Sequence, residues 1–432
     1  VSRALNETKH APRPVPRPTT PVLRPAIGRT GAVLAAAVAL TATLAPPAAA
    51  EGEQCTFPAK KYEGRPWSLQ RVLLDELWEQ SEGAGVRVAV IDTGVDVKHP
   101  QLAGAVDARS GTNTLPKKLK DKDGRTVDRG PQNGTGDTVG HGTKVAGIIA
   151  ARPAKKTGFV GLAPRARIIP IHQNDAEGNG TAETLAKAID HAIKAKARVI
   201  NISQDTAKAV APAPALQQAV NRALAEDIVV VASAGNDGLG GNVKKTYPAS
   251  FEGVLAVASS DRNNERAAFS QSGDFVGVAA PGVDMVSTVP KGGHCADNGT
   301  SFSAPYVAAV AALIRAKHKN WTQEQIVAQI QQTAERSVAG HDRYVGWGVV
   351  DPVRALTEDD TPVTSPSAHE GVTRAKPPTP AELPTGETAA ERNSRLGTYI
   401  ALAAVVLAAA ISGVAIALRD TRRRAQRLRD TG

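Results

Sequence analysis

Residues 86–96 read VRVAVIDTGVD, and the run from Val88 to Ile91 is apolar at every position before it meets Asp92. A strand exposed on one face alternates apolar and polar side chains; one with no polar face must be covered on both sides, as in a parallel sheet between helices. The same signature recurs in RIIPIH (167–172), RVINIS (198–203), IVVVASAGN (228–236) and GVLAVASS (253–260). Between these lie segments with helical spacing, LAKAIDHAIKAKA (185–197) and ALQQAVNRALAED (215–227). Strands alternating with helices predict an α/β fold of three layers with a predominantly parallel central sheet. In such sheets reactive groups gather beyond the carboxyl ends of the strands. Three of the predicted strands end in polar residues there: Asp92, Ser203 and Asn236.

The regions outside this core differ in composition. The formal charge is +10, but residues 1–50 hold six Lys or Arg against one Glu and residues 395–432 hold seven Arg against two Asp, so the chain between is neutral. A neutral core with basic ends offers no basic face for nucleic acid, and none is expected as a partner. Arg24 and Arg29 precede GAVLAAAVALTATLA (31–45) and then PPAAA, the pattern of an export signal with cleavage expected after Ala50; an uncleaved anchor is the alternative. Residues 51–65 form a short N-terminal extension, residues 66–358 the folded domain, and residues 359–395 a Pro-rich tether. LGTYIALAAVVLAAAISGVAIAL (396–418) carries no charge. At ~1.5 Å per residue it is long enough to cross ~30 Å of hydrocarbon. A soluble core helix is the alternative, although no globular sequence follows to bury it. The arginines of RDTRRRAQRLRD (419–430) predict a cytoplasmic tail over residues 419–432 and an extracytoplasmic domain before the span.

Two further segments bear on chemistry. NGTSFSAPYVAAVAAL (298–313) places Ser301 where an apolar helix starts, and GDTVGHGTKVAGIIA (136–150) sets His141 between two glycines before another. Each has an ordinary reading alone: Ser301 as a helix cap, His141 as a structural or exposed histidine, Asp92 as a cap or metal ligand. Together they supply the parts of acyl transfer: Ser301 attacks, His141 accepts and returns the proton, and Asp92 orients the imidazole. Asn236 adds an amide able to meet an oxyanion beside the Ser301 N–H.

DTGVD, GHGTKVAGI, ASAGND and NGTSFSAP, in this order, resemble the motifs of the subtilases, the subtilisin-like serine endopeptidases. The resemblance spans roughly residues 66–356 and implies a subtilisin-like fold, the triad Asp92, His141 and Ser301, the oxyanion donor Asn236, and no cofactor. A narrower likeness, in WSLQRVLLDELWEQSEGAGVRVAVIDTGVDVKHPQL, GFVGLAPRARIIPIHQ and YVGWGVVDPVRAL, is to the mycosins, membrane-anchored subtilases that accompany type VII (ESX) secretion. It implies a protein or peptide substrate, one membrane helix and secretion-complex components as partners. The alternative function it raises is a structural subunit of that complex, with proteolysis secondary.

Two departures from the family pattern stand out. The extension at 51–65 is too short for a folded inhibitory prodomain. Ser203, whose segment in subtilases pairs with substrate, opens SQDTAKAVAPAPA in place of the Ser-Leu-Gly of many relatives, which predicts an altered specificity pocket. Cys55 and Cys295 are the two cysteines; a bridge from the extension to the domain is expected, with two free thiols as the alternative. The charged stretch within 106–138 reads as a solvated loop or a docking surface. Its Asp121, Asp123 and Asp128 lack a full calcium-loop pattern, so no metal is expected.

Overall fold

The computed structural model describes residues 55–117, 123–126, 128–176, 180–203, 213–240, 245–368 and 388–429. The chain divides into two units, Val1–Gln54 and Cys55–Gly432, and the described residues all belong to the second. The export-signal reading, Asp121, most of the tether and the chain end therefore lie outside the described residues.

The strands are β1 (Arg87–Asp92), β2 (Thr112–Asn113), β3 (Arg167–His172), β4 (Val199–Ile202), β5 (Val229–Ser233), β6 (Leu255–Ser260), β7 (Val276–Pro281), β8 (Met285–Thr288) and β9 (His294–Asp297). The helices are α1 (Trp67–Gln70), α2 (Leu74–Gln80), α3 (His141–Ala150), α4 (Ala182–Lys194), α5 (Pro214–Ala225), α6 (Thr300–Lys317), α7 (Gln323–Gln332), α8 (Pro352–Thr357) and α9 (Ala389–Arg429). The first seven strands form one sheet in the order β2-β3-β1-β4-β5-β6-β7, and every pairing in it is parallel. An antiparallel hairpin of β8 and β9 stands apart.

The uniformly apolar strands have a direct cause. In β1, Val88 and Val90 enter a core shared with α3 and α6, whereas Ala89 and Ile91 enter a second core shared with α4 and α5. Alternate side chains point to opposite faces, and both faces are dry. Each buried aliphatic side chain contributes ~1.5–3 kcal/mol, against ~1 kcal/mol for a good helix cap, so burial rather than local propensity fixes the layers. Capping still sets boundaries: Thr181 and Thr184 form a capping box that starts α4 at Ala182, three residues ahead of the sequence expectation. Helix α6 is buried continuously from Thr300 to Arg315 and packs beneath β4, β5, β6 and β7. Its alanines allow that close approach.

The N-terminal extension lies along the hairpin. Cys55 is disulfide-bonded to Cys295 in β9. Ala59 N–H donates to Gly292 O at 3.0 Å, and His294 N–H to Lys60 O at 3.0 Å. Helix α9 is long and apolar enough to cross a membrane, and its apolar side chains, Leu402, Val406 and Ile411 among them, are exposed.

Candidate active site

The carboxyl edge of the sheet collects the residues singled out above. Asp92 closes β1, and Ile91 pairs with Ile202, which brings Ser203 alongside at the end of β4. Helix α3 begins with His141, whose Nδ1–H donates to Asp92 Oδ1 at 2.7 Å. The flanking glycines make this approach feasible. A Cβ on Gly142 would lie 2.1 Å from Gly94 O and 3.1 Å from the Asp92 Cβ, and Gly140 has φ +86° with the Phe57 ring of the extension packed on it. Either position would push a larger residue's backbone away from Asp92.

Asp137, which sequence reasoning passed over, ties these pieces together. Its Oδ1 accepts from Thr93 Oγ1 at 2.9 Å and Gly140 N at 2.7 Å, and its Oδ2 from Thr143 N at 2.8 Å and Thr143 Oγ1 at 2.6 Å. It thereby caps α3, whose first-turn N–H groups would otherwise be orphaned, and links it to the residue after Asp92. Burial pushes the Asp137 carboxyl up to about 6, partly offset by these hydrogen bonds and reinforced by the Asp92 charge. For His141, burial opposes the charged form, but the charge and hydrogen bond of Asp92, with Asp137 behind, outweigh it and raise the imidazole above its ordinary value. With Nδ1–H committed to a carboxylate, Nε2 is the nitrogen able to take a proton.

Ser301 is the second residue of α6, at 2 % exposure, in the first turn where a helix has N–H groups without intrahelical partners. Its Oγ is buried with no hydrogen-bond partner among the described residues, and the His141 ring lies 5.2 Å from that of the adjacent Phe302. Unbound sites often show such loose contacts before substrate tightens them. Asn236, just beyond β5, reaches the same turn. Its Oδ1 accepts from Thr300 N at 2.9 Å and Thr300 Oγ1 at 3.0 Å, which fixes the amide so that Nδ2 is its donor end. A Cβ on Gly299 would lie 3.5 Å from that Nδ2, so the amide borders the serine turn. Thr300 also escaped the sequence reading; the signal was a hydroxyl beside the nucleophile candidate, too common to interpret alone.

Ser203 is 1 % exposed, and its Oγ accepts from Asn201 Nδ2 at 2.8 Å; residues 204–212, where its segment departs from the family pattern, lie outside the described residues. Asp128 Oδ1 accepts from Gly130 N at 2.9 Å within its own loop, and Asp123 pairs with Arg125 at 3.7 Å. A cavity of about 670 Å³ lined by Leu224, Val254, Gln323 and Val327 includes none of the residues at the sheet edge. Cavity size does not locate the chemistry here; convergence of functional groups does.

Comparison with known proteins identifies the family. The Subtilase family model matches residues 83–348. Thermitase of Thermoactinomyces vulgaris is 36 % identical over 295 residues, covering 68 % of this chain and 97 % of its own. Subtilisin E of Bacillus subtilis (strain 168) is 34 % identical over 288 residues, covering 66 % of this chain and 70 % of its own. Among solved structures, MycP1 with its N-terminal propeptide removed superposes with a TM-score of 0.58 at 34 % identity, covering 68 % of this chain and 97 % of that one. MycP3 protease from the type VII (ESX-3) secretion system gives 0.59 at 32 % identity, covering 70 % and 90 %. The chain therefore belongs to the subtilase family and is a subtilisin-like serine endopeptidase.

Proposed function

We propose that Ser301, His141 and Asp92 are the catalytic triad of this peptidase and that Asn236 Nδ2 and the Ser301 N–H receive the oxyanion. Ser301 Oγ attacks the scissile carbonyl while His141 Nε2 takes its proton, and the imidazolium then protonates the departing amine. Asp92 holds the tautomer and balances the positive charge formed between those steps. Water enters and the same groups run in reverse to free the acid product. The 2.7 Å contact of His141 with Asp92, at the sheet edge where Ser301 begins a buried helix, carries this reading. A purely structural role is not favoured, since the site retains each group that acyl transfer needs.

We infer further that α9 tethers the domain to a membrane, with residues 55–368 on the extracytoplasmic side and the arginines of the tail in the cytoplasm. The exposed apolar side chains of α9 support this, because lipid is the environment that hydrates none of them. The likeness to MycP1 and MycP3 supports a mycosin role beside a type VII secretion complex, cleaving a protein substrate there. The test is labelling of the full chain in detergent micelles by a fluorophosphonate. Wild type is expected to label, and Ser301→Ala and His141→Ala to lose at least ~99 % of the rate. A folded wild-type protein that resists the probe would overturn the assignment.

A further inference from the structure

Lys144 lies three residues beyond His141 in α3 and is 6 % exposed, an unusual place for a lysine. Its Nζ donates to Asp297 Oδ2 at 2.7 Å, and among the described residues Asp297 is its one hydrogen-bond partner. The same Nζ sits 5.9 Å from the centroid of the Phe302 ring, and that ring lies 5.2 Å from the His141 ring. Asp297 closes β9, four residues before Ser301, and its Oδ1 accepts from Asn298 N at 2.9 Å. The ion pair thus joins the helix bearing the histidine to the turn bearing the serine. A methionine would fill the same gap without desolvating an ammonium, so packing alone does not account for a lysine here.

The groups around His141 give the charge a use. Asp92 faces it from β1, Asp137 from the loop before α3, and Lys144 from its own helix; α6 contributes the Phe302 ring, and β8 packs on α3 through the hydroxyls of Ser287 and Thr288, which donate to the Lys144 and Thr143 carbonyls. Two carboxylates favour the imidazolium, and Lys144 is the cation set against them.

We propose that Lys144 and Asp297 are a positioning pair for the reaction, holding the serine turn against the histidine helix and setting a cation against the two carboxylates beside the imidazole. The inference rests on His141 acting as the base. Lys144→Met leaves two carboxylates unopposed, so the base stays protonated to higher pH. Asp297→Asn removes the anion that partly screens Lys144, so the base is freed at lower pH. Opposite displacements are the signature, since a merely structural pair would lower both variants' rates at every pH.

The measurement is the second-order rate of fluorophosphonate labelling against pH, on the full chain in detergent. Lys144→Met is expected to move the acid limb up by about half a pH unit, a roughly threefold loss at pH 6 with little change at pH 9. Asp297→Asn should move it down, and Lys144→Arg should keep it in place. Limbs unmoved within about 0.1 unit, or displaced in the same direction, would overturn the proposal. If Lys144→Met does not fold, Asp297→Asn, altered at a half-exposed side chain, decides by its sign alone. A wild type that does not label defeats the triad reading; a wild type that labels, with unmoved variants, defeats this inference alone.

Discussion

Two regions of the domain each hold a histidine, half-buried at 141 and buried at 294, and they do opposite things with it. His141, at the sheet edge, is raised because carboxylates overcome its desolvation. His294, beneath the extension, is lowered to about 4 because burial goes unopposed and His99 and Lys61 add their charges. Hydrogen bonding differs in the same sense. His294 uses both ring nitrogens, accepting from Tyr62 N at 3.1 Å and donating to Gln101 Oε1 at 2.7 Å, which only the neutral ring can do. His141 donates from Nδ1 to a carboxylate, which leaves Nε2 as the nitrogen able to take a proton. Charge of the partner, more than depth, decides which way a histidine's proton affinity moves.

The strongest way to break this contrast is to make the His141 environment resemble that of His294. Asp92→Asn presents an amide to Nδ1, removes the balancing charge and allows the wrong tautomer. A loss of about 10⁴ in kcat with KM within a few-fold is expected, measured on any peptide the wild type cleaves. A loss below about tenfold would mean that Asp92 does not orient the base. A smaller perturbation addresses the other region. Cys55→Ser with Cys295→Ser frees the extension from β9, and removal of a native disulfide costs ~2–5 kcal/mol. The thermal midpoint should fall on the order of 10 °C while fluorophosphonate labelling at 25 °C changes less than about twofold. If labelling collapsed instead, the contact of Phe57 with Gly140 would be coupling the extension to His141, and the two regions would not be separable.

How much of this could be read in advance follows from the range of the forces. The apolar strands were legible because burial on both faces leaves a mark at every position, and RIIPIH coincides with β3 to the residue. The short β2, the Gly- and Ala-containing β7, the hairpin of β8 and β9, and helices α1, α2, α7 and α8 were not anticipated. β2 is two residues long, and the hairpin depends on distant partners, Ser287 and Thr288 bonding to α3 carbonyls. Asp92, His141, Ser301 and Asn236 were visible through their local motifs. Asp137, Thr300 and Lys144 were not, because what gives each its role is a link that only the fold brings close, to Thr93, Asn236 and Asp297 respectively, although Asp137 also binds its near neighbours Gly140 and Thr143.

The mildest prediction sharpens the contrast from the His294 side. A histidine whose folded-state value is lowered binds fewer protons in the folded than in the unfolded chain between about 4 and 6.5. In that window stability therefore rises with pH and is lost on acidification. His99 acts in the same direction: burial lowers it, its Nε2–H donates to Gly293 O at 3.1 Å and its Nδ1 accepts from Gln101 N at 3.2 Å. Lowering the pH from 6.5 to 5 should cost about 1–2 kcal/mol through His294. His294→Gln removes that proton-binding step. The variant is expected to start with a lower thermal midpoint, having lost ring hydrogen bonds, and then to lose less of it than wild type as the pH falls to 5. The check is the difference between the two slopes, which cancels the carboxylates common to both proteins. Parallel slopes would show that His294 is not held neutral by its surroundings, and the contrast with His141 would then rest on Asp92 alone.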